Sequence, residues 1–204
     1  MPTNADLRPS GAAAPPTPDP ARPGRMSGDE RREQILAAAR RVFAEGGFAA
    51  TTDEVARAAA ISQPYVVRLF GSKRDLFVET YRQAADEVVA TLSAASREDD
   101  PAEAMGRAYL ELIEDRDLLR LLMHGFIASA DDEVGRVARH CLGEAYRLFV
   151  AGTGAGPDEA RHFVAFGMLL NVLVAVDAEA HRGEEPGIDA LVDCMFLAAR
   201  RAQA

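Results

Sequence analysis

The sequence predicts an all-α protein, and three observations lead there. Hydrophobic residues recur at the helical spacing of three and four through most of the chain, and no alternating stretch of useful length interrupts them. The composition is rich in Ala and has only 6% aromatic residues and no Trp, which favours helices over sheets. Capping residues stand in front of the periodic segments, and Gly, Pro or short polar runs stand behind them.

The first 28 residues are the exception. Seven of the eleven prolines lie among the first 23, with Gly, Ala, Thr and Ser between them. Such a segment has no face to bury, and we expect a disordered Pro-rich tail over 1–28. Arg22 and Arg25 would give it the charge of a minor-groove arm.

Order is expected from Asp29. Ile35, Ala38, Ala39, Val42 and Phe43 form one stripe, Ser27 or Asp29 caps the helix, and Gly46-Gly47 stops it. Thr51 and Glu54 have capping-box spacing ahead of a short helix over 52–59, with Val55, Ala58 and Ala59 inward. Ser62 caps a second short helix, with Pro64 in its first turn and Val66, Leu69 and Phe70 on its apolar side. Gly71 breaks it, and Ser72 opens a longer helix to about Ala95, striped by Leu76, Phe77, Thr80, Ala84, Val88 and Leu92. Further helices are expected over 101–114, 116–129, 132–151, 157–181 and 187–202.

Two short helices joined by about three residues make a helix-turn-helix. Small residues on the first let the second cross closely, Ile61 fills the angle, and Phe70 anchors the far end. The outer side of the second helix, Gln63, Pro64, Tyr65, Val67 and Arg68, is then free to enter a major groove. Gln suits adenine, Arg suits guanine, and Tyr or Val can meet a thymine methyl or a phosphate.

Charge bears on this reading. The net charge is −9. Residues 1–28 and 29–83 carry +1 each, whereas 84–204 carry −11. Any DNA contact therefore belongs to the N-terminal part and depends on placed charges rather than a basic field.

The stretch Arg31 to Phe77 resembles the tetracycline-repressor (TetR) family of bacterial transcription regulators. Phe43, Gly47, Phe48, Thr51, Val55, Ala56, Ala59, Ser62, Phe70, Lys73 and Leu76 match its pattern. The resemblance implies DNA contacts at Thr51 and Lys73, the latter to a phosphate beside a helix N-terminus. Three departures stand out. The segment between Gly47 and Val55 is one residue short. Ala60 replaces the turn glycine, which disfavours a left-handed backbone there. No Tyr stands two residues before Phe70, and the earlier Tyr65 is expected to face the bases.

After the tail over 1–28, the resemblance implies a DNA-binding domain over 29–75 and an effector-binding and dimerisation domain over 76–204. Met105, Tyr109, Met123, Phe126, Phe149, Met168 and Asn171 are candidates to line a cavity for a small hydrophobic effector, with His124 and His140 as further polar contacts. Phe163, Phe166, Leu170, Val174, Leu191 and Met195 are candidates for a homodimer interface, with Leu173, Ile188, Val192 and Phe196 on the same stripes.

No phosphate loop, nucleophile elbow or zinc-protease motif is found, so no enzyme, cofactor or metal is expected. His140 and Glu144 share a helix face but give only two ligands, and we read them as a surface contact. Cys141 and Cys194 are expected as buried small apolar residues. The longest apolar run, Phe163 to Val176, is too short to span a bilayer, so no membrane partner is expected. The expected protein is a cytoplasmic, ligand-responsive repressor that binds a palindromic operator as a homodimer. The alternative is an all-helical small-molecule-binding protein or enzyme in which the three-helix unit is structural.

Overall fold

The computed structural model describes residues 27–201, with side chains through residue 195. The expected tail, with Arg22 and Arg25, falls almost wholly outside the described residues, as does the side chain of Phe196. Among the described residues the fold is all-α, without a strand.

The N-terminal unit is built by local capping. α1 (Gly28–Gly46) starts on a complete capping box, with Ser27 Oγ accepting from Glu30 N and the Glu30 carboxylate accepting from Ser27 N. It stops at Gly47, whose φ is +56°. A β-carbon on Gly47 would sit 2.6 Å from Nδ1 of His124, so glycine is required there for space as well as for backbone. A 3-10 turn (Gly47–Ala49) leads to α2 (Thr52–Ala58), capped by the predicted Thr51–Glu54 box. α3 (Gln63–Phe70) and α4 (Lys73–Ala95) follow, and Ser72 Oγ accepts from Asp75 N at 3.1 Å to start α4.

Five helices complete the chain: α5 (Pro101–Leu112), α6 (Arg116–Ile127), α7 (Asp132–Thr153), α8 (Pro157–Ala175) and α9 (Pro186–Arg201). Asp100, Asp115 and Asp131 cap α5, α6 and α7 through their carboxylates, where negative charge also suits the helix dipole.

α4 unites the molecule. The six residues predicted for its stripe, Leu76 to Leu92, are all buried. One apolar core runs along it, from Ile35, Phe43, Val55 and Val66 at one end to Met105, Leu118, Val134 and Phe149 at the other. Phe77 is its aromatic centre, edge-on to both Phe43 and Phe48 with ring centroids 5.0 Å away in each case. A second cluster, with Ile113, Leu119, Leu170, Leu173, Val192 and Met195, ties α8 and α9 to α6. Ion pairs cross between elements: Arg32 to Glu79, Arg40 to Glu87 and Asp115, Arg74 to Asp131, and Arg82 to Glu133.

Three expectations are corrected. Ala58 faces solvent and Ala56 takes its place beside Val55 and Ala59. α8 ends at Ala175 rather than 181, because Asp177 turns left-handed at φ +54°. Ala178 N then donates to Leu173 O and Asp177 N to Val174 O, while Arg116 holds the Val174 carbonyl and the Asp177 carboxylate. Cys141 is buried as expected, but Cys194 is exposed.

Candidate DNA-binding surface and ligand cavity

The turn between α2 and α3 keeps a left-handed residue despite lacking glycine. Ala60 has φ +54°. Ile61 N donates to Ala56 O at 3.0 Å and Ala60 N to Arg57 O at 3.2 Å, the paired bonds of a Schellman ending. Gln34 on α1 donates to the Ala59 carbonyl at 3.1 Å and fixes the turn from behind. Satisfied carbonyls and a buried Val55 and Ala59 outweigh a strain of roughly 1–2 kcal/mol for an alanine in this region.

α3 is seated by Val66 and Phe70, both buried. Arg32 stacks on the Phe70 ring at 4.4 Å and reaches the Leu69 carbonyl, so α1 clamps the end of α3. Of the five outward candidates, Pro64, Val67 and Arg68 are exposed. Gln63 is half-buried and donates to Thr52 Oγ1 at 3.2 Å. Tyr65 is also half-buried; it packs on the core and lies under the Arg68 guanidinium at 4.9 Å. Tyr65 and Arg68 thus stand together on the outer part of α3. Ser62 has an extended backbone, but its hydroxyl makes no cap bond to α3.

Lys73 lies beside this face. Its ammonium donates to the Phe48 carbonyl at 2.5 Å and sits 4.6 Å from the Phe48 ring. Thr51 is exposed, with its hydroxyl in the cap of α2; the Thr51 backbone N–H and hydroxyl hold the Glu54 carboxyl below its usual range.

The second feature is a cavity between α4, α5, α6, α7 and α8, with about 70 Å³ of free space. Tyr109, Phe126, Met168 and Asn171 line it as expected. Met105, Met123 and Phe149 do not: Met105 is fully buried elsewhere in the core, Met123 packs on the second cluster, and Phe149 stacks on Phe163 at 4.4 Å. His124 points to Gly47 instead, and His140 is exposed on α7. Glu144 pairs with Arg147 rather than with His140. Val88, Leu92, Leu142 and Phe163 also line the cavity. In the sequence each sits on an ordinary apolar stripe, which does not mark a gap in packing.

Among the described residues, no group of three or more His, Cys, Asp or Glu is placed to hold a metal ion. No described helix is long and apolar enough to cross a membrane.

Residues 35–80 match the family profile described as bacterial regulatory proteins, tetR family. The HTH-type transcriptional activator FasR of Mycolicibacterium smegmatis is 38% identical over 77 residues, 37% of this chain and 35% of that protein. Residues 35–80 thus carry the N-terminal unit of the tetR family. The chain's alignment to FasR spans only about a third of FasR's length. A TetR-family member from Streptomyces coelicolor A3 superposes with a TM-score of 0.63 at 26% identity, over 80% of this chain and 96% of that one. A TetR-like transcriptional regulator from Rhodococcus sp. RHA1 superposes with a TM-score of 0.61 at 23% identity, over 88% and 98%.

The predicted dimer residues divide between two sides. Phe166 and Leu191 are exposed, as are Val172 on α8 and Val176 just beyond it. Leu170 and Met195, by contrast, lie inside the protomer, and Phe163 and Val174 are half-buried. The correction follows from α8 being apolar on nearly every side, which gives its sequence no phase.

Proposed function

We propose that this regulator is a homodimeric, ligand-responsive repressor with helical domains over 29–75 and 76–204. One α3 from each copy enters successive major grooves of a palindromic operator, with Arg68, Val67 and Tyr65 on the bases and Thr51, Gln63, Pro64 and Lys73 supporting the contact. The exposed apolar side chains of Phe166, Val172 and Leu191 on α8 and α9 support pairing of these helices with a second copy. Operator binding puts the protein in the cytoplasm, with the chromosome.

One observation carries the ligand response. The helix that begins at Lys73 beside α3 is the same unbroken helix whose Val88 and Leu92 line the cavity. A small apolar ligand that prefers one arrangement of α4 therefore biases the spacing of the two α3 helices. A differential affinity of about 5.5 kcal/mol would move the population from 1:99 to 99:1, and smaller shifts need less.

Mobility shift on duplexes from upstream of the protein's own gene, at two salt concentrations, tests the reading. Binding that weakens with salt and is released by an apolar ligand supports it. No duplex binding in dilute salt overturns it in favour of a helical ligand carrier or enzyme. FasR is named an activator, so a promoter-reporter assay completes the test: a rise in output on adding the regulator would replace repression with activation.

A further inference from the structure

The cavity has a polar feature that its apolar lining makes conspicuous. Asn171 is only 2% exposed. Its Oδ1 accepts from the Tyr109 hydroxyl at 2.8 Å, and its Nδ2 has only the Met168 sulfur, at 3.9 Å. A thioether accepts but cannot donate, so this arrangement also fixes which end of the amide faces which neighbour. Asn171 therefore presents under-used N–H groups to the cavity, and a buried donor with so weak a partner favours any better acceptor.

The remaining chemistry of the lining excludes charge. No Asp, Glu, Lys, Arg or His contributes to it. Burial pushes the Tyr109 phenol up to about 12 and the Cys141 thiol up to about 11, so both stay neutral near pH 7. An ionic ligand would lose its hydration and find no counter-charge. The free space equals only two or three water volumes, so a longer ligand enters only as the apolar side chains of the lining move apart.

We propose that the cavity selects neutral lipophilic molecules carrying one hydrogen-bond-accepting oxygen, such as ketones or esters, with Asn171 Nδ2 as the donor that fixes their orientation. This rests on the proposed ligand response. It adds a specificity residue and a ligand class.

The test is direct binding to the full chain, by calorimetry, of four probes of similar length: methyl hexyl ketone, its analogue with C=CH2 in place of C=O, octanoate and octylammonium. A plain greasy hole would prefer the alkene, which is the more hydrophobic. The proposal expects the ketone to bind at least as tightly as the alkene, and both ions to bind about tenfold weaker or more. Asn171→Leu should make the alkene overtake the ketone by about tenfold, whereas Tyr109→Phe, which keeps the amide donor, should preserve the wild-type order. A wild-type chain that favours the alkene, or binds either ion as well as the ketone, overturns the proposal even if Asn171→Leu fails to fold. A folded Asn171→Leu variant that keeps the ketone preference also overturns it. Binding in the wrong order sinks this inference alone, whereas failure of all four probes to bind also sinks the cavity as the effector site.

Discussion

The ring of Tyr81 on α4 lies against the bare backbone of Gly125 on α6, so close that a β-carbon built there would fall 2.0 Å from Cε2. Tyr81 is fully buried, and its hydroxyl has no hydrogen-bond partner among the described residues, so packing alone holds the ring. Gly125→Ala must push α6 from α4 or force the ring off its rotamer. Overpacking of this kind costs about 1–3 kcal/mol, so the melting temperature should fall by several degrees. Tyr81→Leu on the same background should restore part of the loss, and additive losses would show that the contact is not the cause.

The Ala60 turn gives a prediction of opposite sign. A left-handed alanine is strained by roughly 1–2 kcal/mol, whereas glycine there loses about 0.5–1 kcal/mol in chain entropy. Ala60→Gly should therefore stabilise the chain by about 0.5–1 kcal/mol, read from denaturant midpoints at unchanged slope. A destabilised Ala60→Gly chain would mean that the turn relaxes in solution.

These two sites mark what the sequence could and could not disclose. The caps at Ser27, Thr51 and Ser72 were legible because each depends on a few adjacent residues. The left-handed Ala60 was not, since its conformation is imposed by Gln34 and by the packing of α2 on α1, contacts distant in sequence. Ala56 and Ala58 are chemically identical, and only the tilt of α2 decides which is buried. On the other side of the molecule, Leu170 and Val172 are both apolar residues of a helix without a polar face, and only the packing of α6 and α9 selects the inner one. The cavity was half legible: Asn171 stood out as a polar residue in an apolar run, but Leu142 and Val88 carry no mark of an empty space beside them.

Lys73 separates a structural from an electrostatic role. Its ammonium bonds to the Phe48 carbonyl, and under the proposed docking it also meets a phosphate. Lys73→Ala should weaken binding to all duplexes alike and lower the salt slope by about one. An unchanged slope with a lowered melting temperature would leave only the tether to Phe48.

The pair of Arg74 and Asp131 sets a pH dependence. The Arg74 guanidinium, 2.5 Å away, and then the backbone N–H groups of α7 hold the Asp131 carboxyl below its usual range. A carboxyl depressed in the folded state contributes stability that is full above its unfolded value of about 3.9 and is lost as pH falls through the lower folded value. Arg74→Gln should therefore be less stable than the parent at about pH 6, and the gap should close as pH falls through the lowered folded value of Asp131. A gap independent of pH would trace the loss to packing of the Arg74 stem rather than to the ion pair.

The proposed dimer places the strictest demand on α8. Val172 is 44% exposed, and one turn in either direction it is flanked by Met168 in the cavity wall and by Val176 at 57% exposure. A carboxylate at Val172 costs the protomer little, because the site already meets water, but in a two-fold interface each copy would bury the charge against its partner's apolar side chains. Val172→Asp should leave the helical content unchanged, convert the chain to a monomer in sedimentation at micromolar concentration, and reduce operator affinity because each half-site is then bound alone. A Val172→Asp chain that sediments as the parent does would move the interface off this face of α8, and a parent chain that is already monomeric would remove the dimer from the proposal altogether.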